Sequence, residues 1–248
     1  MKISIITVTF NSQDFLENCI SSIETQTYPN IEHIVIDGNS TDNTLNILKN
    51  KSNIKWISEN DYGIYDAMNK GIEMATGDVI GILNSDDFFA DKDVVKRIGE
   101  RFLNTSNIEA VYSDVCFVER YNINKSVRYY SSKYFRPWMF KFGFQPAHPT
   151  FYVKRELFKK YGVYRTDLKI AGDFELLLRF LRKNKVRYKY IDDLWVKMRE
   201  GGAGTSGLSS ITKLNSEIIK AHKFNNLYTN KLLVYSKYLI KWWGFIRK

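Results

Sequence analysis

Two adjacent carboxylates follow an apolar run in the first third of the chain. Residues 79–83 are mostly apolar, and Asn84, Ser85, Asp86 and Asp87 come directly after them. Neighbouring carboxylates repel one another unless solvent or a cation screens their charge. Mg²⁺ and Mn²⁺ prefer oxygen ligands, and they bind through one or two carboxylates together with substrate phosphates. The pair therefore indicates a divalent metal site, although an Asp-rich turn before the next helix explains it about as well.

A second polar string, residues 37–44, follows another apolar run. It begins with Asp37 and Gly38 and continues with small hydroxyl and amide side chains. A carboxylate at a strand end can accept the N–H of a uracil-like base, which makes the string a candidate nucleoside site. The same residues also form a good Asx turn and helix N-cap, and for the string alone the turn is the better interpretation.

The elements that must position these residues alternate between strand and helix. Strands are predicted at 3–10, 33–36, 55–57 and 79–83, and helices at 11–28, 43–48 and 64–74, the first of them capped by Asn11. Further strands are predicted at 110–118, 151–153 and 186–197, with helices at 155–161 and 173–184. Ligands of open α/β sheets bind beyond the carboxyl ends of the strands. The residues after Phe10, Ile36 and Leu83 are therefore expected to converge on one crevice.

Charge is divided unevenly along the chain. Residues 1–100 carry 8 Lys and Arg against 16 Asp and Glu, whereas residues 101–248 carry 29 against 11. This division suits an enzyme that acts on phosphorylated substrates: the acidic part would hold a metal, and the basic part would lie near an anionic surface. The two cysteines are far apart, so neither a disulfide framework nor a zinc site is indicated. No stretch reaches the ~18 apolar residues of a membrane span, and we expect a cytoplasmic protein.

Four segments together resemble the family-two glycosyltransferases of bacterial polysaccharide assembly. They are residues 4–11, 37–44, 58–72 and 77–87, so the similarity covers about the first 90 residues. The resemblance implies a GT-A fold, which is an α/β architecture with a Rossmann-like, mostly parallel central sheet flanked by helices. It also implies a nucleotide-diphosphate sugar as donor and inversion at the anomeric centre. The metal and nucleoside interpretations of the two polar strings are then favoured over plain turns.

The same resemblance assigns residues of the donor site. It implies that the backbone near Thr7 and Thr9, with Asp37, holds the base, and that Lys70 lies near the nucleotide. Asp87 is the expected direct ligand of Mn²⁺ or Mg²⁺. Asp86, beside it, is expected to contact the ribose or the sugar.

The catalytic base is expected in the second half of the chain, where the family resemblance points to an acidic helix start. Asp173 is the candidate, either as base or as a plain N-cap, and Glu175 is the alternative. His148, between Pro146 and Pro149, is a candidate acceptor or diphosphate contact and equally a structural histidine. Arg199 and the glycine-rich residues 201–207 either close over the donor or form a flexible linker.

The carboxyl end reads as an amphipathic basic helix. Aromatic and aliphatic residues recur there at helical spacing, namely Tyr228, Leu232, Tyr235, Leu239, Trp242 and Ile246. Such a helix suits the inner face of the cell membrane, where it would bring the enzyme to a polyprenyl-diphosphate-linked glycan; packing on the core or on a second subunit is the alternative. We divide the chain into a donor half (1–105), an acceptor and catalytic-base half (106–207) and a helical extension (208–248).

Other functions are compatible with fewer of these features. A sugar nucleotidyltransferase needs a glycine-rich basic loop after the first strand, where residues 11–14 stand instead, and the dinucleotide and P-loop motifs are missing too. A basic, aromatic nucleic-acid binder explains nothing in residues 1–100, so no nucleic acid is expected. A degenerate glycosyltransferase that binds nucleotide or glycan without turnover stays open, because only activity separates it from the enzyme.

Overall fold

A computed structural model describes residues 1–201 and 207–246. Its first half contains four parallel strands in the order β3-β2-β1-β4. They are β1 (Ile3–Thr9), β2 (Ile31–Asp37), β3 (Lys55–Ser58) and β4 (Val79–Ile82). All residues of β1 and β4 are buried, as expected for strands covered on both faces. The predicted strands are therefore confirmed to within a few residues at their ends.

Three helices cross between these strands: α1 (Leu16–Glu24), α2 (Thr44–Lys49) and α3 (Ile64–Met74). The predicted start of the first helix at Asn11 is wrong. Asn11 has a φ of 48°, in the left-handed region, and its Oδ1 accepts a hydrogen bond from the Thr41 backbone N–H. The Asn11 side chain therefore joins two strand-end loops and does not cap a helix.

The second half extends the same sheet with elements of more uneven length and with irregular pairing. The remaining elements before residue 201 are β5 (Phe88–Phe89), α4 (Val94–Asn104), β6 (Ala110–Val118), β7 (Ser126–Tyr130), β8 (Tyr152–Lys154), α5 (Glu156–Tyr161), α6 (Gly172–Leu177) and β9 (Tyr188–Arg199). A 3-10 helix spans Pro137–Phe142, another covers His148–Thr150, and a π-helical segment, Leu178–Lys183, continues α6.

The strands of both halves belong to one sheet. In the described residues it has nine strands, and β8 joins the halves by pairing antiparallel with β4 and with β6. The longest ladder of the second half, β6 with β9, is parallel. Most paired residues lie in parallel ladders and helices cover the sheet, so the predicted α/β class is confirmed. The division proposed at residue 105 falls just after α4, within this continuous sheet.

Helix α3 packs unusually close to the sheet. A Cβ placed on Gly71 would lie 2.4 Å from Cγ2 of Ile6, which is closer than non-bonded carbons approach. The missing side chain therefore lets the helix backbone lie directly on β1 and β2. The contact of Gly71 with Ile6 and Ile36 therefore sets how closely α3 packs on these two strands.

The carboxyl-terminal segment consists of α7 (Gly207–Phe224) and α8 (Lys231–Ile246). Ile218 and Ala221 of α7 and Val234 of α8 are buried in the main hydrophobic core. Helix α8 thus packs on α7 and on the 3-10 helix 137–142. In the part of the chain that the structure describes, no helix has the length and apolar character needed to cross a membrane.

Candidate functional site

Hydrogen bonds tie together the carboxyl ends of three parallel strands. The Gly38 N–H after β2 donates to the Thr9 carbonyl at the end of β1, at 2.9 Å. After β1, the hydroxyl of Ser12 lies 2.9 Å from the hydroxyl of Ser85, which follows β4. These contacts bring the polar segments after β1, β2 and β4 to one edge of the sheet, as the sequence predicted.

The acid pair lies on this edge, in surroundings that oppose its charge. The Asp87 side chain is only 2% exposed. Burial, and then the neighbouring carboxylate of Asp86, raises the pKa of Asp87 well above its usual range. Asn84 Nδ2 offers a distant contact at 3.4 Å, and Asn84 Oδ1 is buried without a partner among the described residues. The carboxylate oxygens of Asp86 and Asp87 and the Asn84 Oδ1 are therefore held together without enough positive charge to offset the two carboxylates.

Arg199, at the end of β9, is the cation next to the pair. Its Nη1 donates to the Asp86 carbonyl at 2.6 Å and its Nη2 to Asn18 Oδ1 at 2.9 Å. The guanidinium lies between the rings of Phe15 and Phe88, with its Cζ 5.0 and 4.9 Å from their centroids. Burial lowers the pKa of Arg199. Arg199 is thus held against the acid pair, and its closure over the donor stays a prediction; residues 202–206 of the accompanying loop lie outside the described residues.

Asp37 does not face the crevice, contrary to the expectation from sequence. Its side chain is fully buried. One carboxylate oxygen accepts hydrogen bonds from the Ser40 N–H at 2.9 Å and the Ser58 hydroxyl at 2.6 Å, while the other accepts from the Ser40 hydroxyl. Asp37 therefore holds the loop after β2 against the end of β3, and three hydrogen bonds occupy its carboxylate there.

The carboxylate that reaches this edge is Asp61, which the sequence analysis missed. A Cβ on Gly38 would lie 2.6 Å from Asp61 Oδ2 and 3.5 Å from Cδ2 of Phe10, whose side chain is 61% exposed. Asp61 Oδ1 accepts the Gly63 N–H at 2.8 Å, and Oδ2 accepts no hydrogen bond in the described chain. We call Phe10, Gly38 and Asp61 the ring-and-carboxylate slot. An aromatic face beside a free acceptor is suited to a flat heterocycle that carries an N–H.

Thr7, Thr9 and Lys70 differ in how their side chains lie relative to the crevice. Thr7 lies inside β1, fully buried, with its hydroxyl 3.0 Å from His33 Nε2, so its side chain does not reach the crevice, and a contact of the nearby backbone with the base stays a prediction. Thr9 is at the strand end, and its hydroxyl is buried without a partner among the described residues. Lys70 Nζ donates to the Asn60 carbonyl at 2.8 Å and pairs with Glu59 at 2.7 Å, which places it beside the segment that carries Asp61.

A second cluster surrounds Asp173 in the first turn of α6. Asp173 Oδ2 accepts a hydrogen bond from Gln145 Nε2 at 2.9 Å, and Oδ1 lies 3.4 Å from the Tyr65 hydroxyl. Glu217 of α7 accepts hydrogen bonds from the backbone N–H groups of residues 169–171, just before the helix. Gln145 and Tyr65 thus lie at the Asp173 carboxylate, and Glu217 holds the segment that leads into α6. Tyr65, in the first turn of α3, is four residues after Asp61, so this turn links the cluster to the segment that carries Asp61.

His148 belongs to the same cluster. Its Nε2 lies 2.8 Å from the Tyr164 hydroxyl, and the Tyr164 ring stacks on Tyr65 with centroids 5.7 Å apart. Burial lowers the pKa of His148, although the nearby Asp173 carboxylate opposes that shift. The structure therefore brings His148 and Asp173 together, with a neutral imidazole supporting the aromatic wall of the cluster.

Glu175 lies on the opposite side of α6, which corrects its assignment as an alternative base or contact. The side chain is buried and forms a bidentate pair with Arg179, at 3.0 and 2.9 Å. Asn225 Nδ2 donates a further bond to it at 2.9 Å. Glu175 thus joins α6 to α7, and Asp173 is the carboxylate of this turn that faces the cluster.

Sequence comparison identifies what this arrangement is similar to. The model of Glycosyl transferase family 2 matches residues 4–166. An uncharacterized glycosyltransferase of Mycobacterium tuberculosis is 34% identical over 184 residues, which are 71% of this chain and 68% of that protein.

Solved structures share the fold at lower identity. S. aureus TarS superposes with a TM-score of 0.64 at 19% identity, over 89% of this chain and 39% of that chain, so the present chain spans well under half of TarS. A fragment, TarS 1–349, was crystallised with UDP-GlcNAc. The mannosyltransferase PcManGT from Pyrobaculum calidifontis, crystallised with GDP-Man and Mn²⁺, gives a TM-score of 0.64 at 16% identity, over 95% of this chain and 68% of that chain. The sheet described above is therefore of the GT-A type.

Proposed function

Since the chain belongs to Glycosyl transferase family 2, we propose that it is a metal-dependent, inverting hexosyltransferase that takes a UDP-sugar and glycosylates a hydroxyl of a lipid-linked glycan. The observation that carries the proposal is the acid pair Asp86–Asp87 at the sheet edge, in which Asp87 is buried and its charged form disfavoured, together with the Asp173 carboxylate that Gln145 holds in the second cluster. The acid pair suits a leaving diphosphate, and Asp173 suits an acceptor hydroxyl.

The donor base is assigned to the ring-and-carboxylate slot. Phe10 offers a stacking face, and Asp61 Oδ2 can accept the N3–H of uracil. Thr9 adds a buried hydroxyl without a partner in the described residues. Support for a UDP-sugar comes from TarS 1–349, whose structure contains UDP-GlcNAc, whereas that of PcManGT contains GDP-Man.

The acid pair fits a divalent cation by its chemistry. Asp86, Asp87 and the unpartnered Asn84 Oδ1 are oxygen donors of the kind that Mg²⁺ and Mn²⁺ prefer. The described residues contain no group of three or more Asp, Glu, His or Cys side chains that could hold a metal alone. Phosphate oxygens of the donor would therefore complete the ligand set, and the cation would offset charge on the leaving diphosphate. Asp87 is the proposed ligand, and Asp86 contacts the ribose or the sugar.

Asp173 is the proposed general base. An inverting displacement needs a carboxylate that removes the acceptor proton on the face opposite the leaving group. The Gln145 amide donates to the Asp173 carboxylate and orients it, and the Tyr65 hydroxyl, which donates to the Ile170 carbonyl at 2.7 Å, lies 3.4 Å from it. Tyr65 and Tyr164 form an aromatic wall beside it, which suits the apolar face of a sugar ring.

A thermal-shift panel tests the donor assignment. We expect UDP with Mn²⁺ to raise the melting temperature more than CDP, because cytosine has no N3–H for Asp61 to accept; GDP and dTDP complete the panel. Asp61→Asn should lose the preference for UDP over CDP, since an amide can pair with either base edge. Asp37→Asn is the contrast: loss of its buried hydrogen bonds should lower the melting temperature of the free protein and leave the UDP preference intact.

Two results would oppose this assignment. An unchanged UDP preference in Asp61→Asn would remove the slot as the base site. UDP binding by the wild-type chain without transfer to any glycan and without donor hydrolysis would favour a non-catalytic nucleotide-binding protein.

Peripheral attachment to the cytoplasmic face of the membrane is proposed for α8. Leu232, Tyr235 and Leu239 form one stripe on this helix, and the two leucines are 84% and 70% exposed. The opposite side, with Val234, is packed on the protein. An apolar stripe on a strongly basic half of the chain suits an anionic bilayer surface.

Liposome sedimentation tests this attachment. We expect the wild-type protein to sediment with anionic liposomes at low salt and to be released by high salt. The double variant Leu232→Ser/Leu239→Ser should stay in the supernatant, because the stripe loses its apolar area. Leu103→Ser, at a leucine of α4 that is 63% exposed, is the matched control and should sediment like the wild type. Sedimentation of the double variant with the liposomes would refute the role of α8.

A further inference from the structure

A recess of about 480 Å³ lies away from the strand ends, beside the 3-10 helix Pro137–Phe142. Apolar residues form most of its wall, including Trp138, Phe140, Phe142 and Tyr228. Trp138 and Tyr228 are 56% and 70% exposed. The volume is in the range of small-molecule sites, roughly 300–1,000 Å³, and too small for a folded partner. The shape and lining thus suit a small apolar group.

Two cations contribute to the lining of the same recess. Lys141 and Arg182 are both exposed, and neither forms a salt bridge with a carboxylate in the parts of the chain that the structure describes. Lys141 Nζ lies 5.4 Å from the centroid of the Tyr228 ring. An apolar recess with two unneutralised cations favours a ligand that joins an apolar part to an anion.

His222 adds a polar atom without a partner to the recess. The side chain is 2% exposed, and its Nδ1 lies 2.8 Å from the Ile218 carbonyl, to which it donates. Nε2 is therefore the acceptor end of a neutral ring, and it is buried without a hydrogen-bond partner among the described residues. Buried polar atoms are nearly always paired, so a water that donates to Nε2 is expected here.

The recess adjoins the Asp173 cluster through three rings. Phe140 contacts Phe174, with centroids 5.3 Å apart, and Phe174 contacts His222 at 5.7 Å. Phe174 follows Asp173 directly in α6. The segment that begins at Pro137 also continues to Gln145, which donates its hydrogen bond to Asp173. A molecule in the recess therefore lies on the side of the protein assigned to the acceptor.

We propose that this recess binds the apolar chain of a single-chain lipid phosphate, with the phosphate at Lys141 and Arg182. The apolar wall and the two cations together favour a ligand that carries both parts in one molecule, and the volume is that of a small-molecule site. The lipid phosphate is the anchor of the acceptor, a role that rests on the proposed transferase function. Binding itself does not depend on that function, because it needs neither donor nor turnover.

Calorimetry with decyl phosphate below its micelle concentration tests the site on the full chain. We expect saturable binding by the wild type, with inorganic phosphate and decanol each binding at least about tenfold more weakly, because each supplies half of the recognised chemistry. The charge reversal Lys141→Glu/Arg182→Glu should weaken decyl phosphate binding by at least about tenfold. Trp138→Ala should weaken it without altering the charge.

The control is Lys92→Glu/Lys96→Glu, which reverses the same number of charges at exposed lysines beside and on α4. It should bind decyl phosphate like the wild type. If both charge-reversal variants bind decyl phosphate equally weakly, the effect comes from net charge alone and the proposed site is overturned. Equal binding of decyl phosphate by the recess variants and the wild type would overturn it as well. UDP binding, measured in every variant, reports separately on the proposed donor site and should not change.

Discussion

Replacement of Asp87 by asparagine is expected to abolish sugar transfer while leaving the fold intact. The isosteric amide keeps the shape of the side chain and removes the charge that a divalent ligand site requires. Loss of a cation that offsets several kcal/mol of developing charge corresponds to a fall in turnover of roughly 10³-fold or more. The variant should also lose the Mn²⁺-dependent part of the melting-temperature increase caused by UDP. Transfer of a radiolabelled donor and the thermal-shift assay measure the two effects.

The melting temperature of Asp87→Asn without metal or UDP distinguishes a specific loss of activity from misfolding. Asp87 is 2% exposed, and burial together with Asp86 disfavours its charged form. Removing that charge should leave the melting temperature of the free protein unchanged or higher, as is common where function requires an unfavourable group. Glu100→Gln, at an exposed residue of α4, should behave like the wild type in every assay. An Mn²⁺-dependent UDP response that persists in Asp87→Asn would refute the metal assignment.

Asp173→Asn is expected to cause the second largest loss of activity, and this loss should affect only kcat. Loss of a general base lowers kcat by about 10²–10⁴-fold, whereas KM for the donor and the UDP thermal shift should not change. The amide can keep its contacts with Gln145 and Tyr65, so the cluster should stay ordered. Steady-state kinetics and the thermal-shift assay on one protein preparation measure both quantities.

Glu175→Gln, two residues along the same helix, is the contrast. It breaks the buried pair with Arg179, so we expect a lower melting temperature with near-normal kcat below it. A large loss of kcat in Glu175→Gln together with normal turnover in Asp173→Asn would reverse the two roles and refute the assignment.

The first half of the fold was predictable because its buried strands have sequences that are apolar along their whole length. Strands β1 and β4 are covered on both faces, and their continuous apolar runs carry that information. The second half gives weaker signals. Strand β7 is almost entirely exposed and exists because it pairs with β6, which no local pattern reports. Helix α4 was missed although Val94, Val95 and Ile98 repeat at helical spacing and are buried.

The site was predictable in its position but less so in its individual residues. Asp37 ends β2 and Asp61 follows β3, and the sequence does not tell which of the two carboxylates is buried and bonded by neighbouring hydroxyl groups. The close approach of Asp61 to Gly38 depends on the pairing of β2 with β3. The phase of α6 could have separated Asp173 from Glu175, since residues two apart in a helix do not share a face.

The contact between Arg199 and Asp86 joins residues that are 113 positions apart, and the contact with Asn18 spans 181. During synthesis, the acid pair therefore leaves the ribosome long before Arg199, the cation that contacts Asp86. A nascent chain that has not reached Arg199 has the two aspartates and the slot but not this counter-charge. The proposed donor centre is thus completed only when β9, which ends at Arg199, has been synthesised.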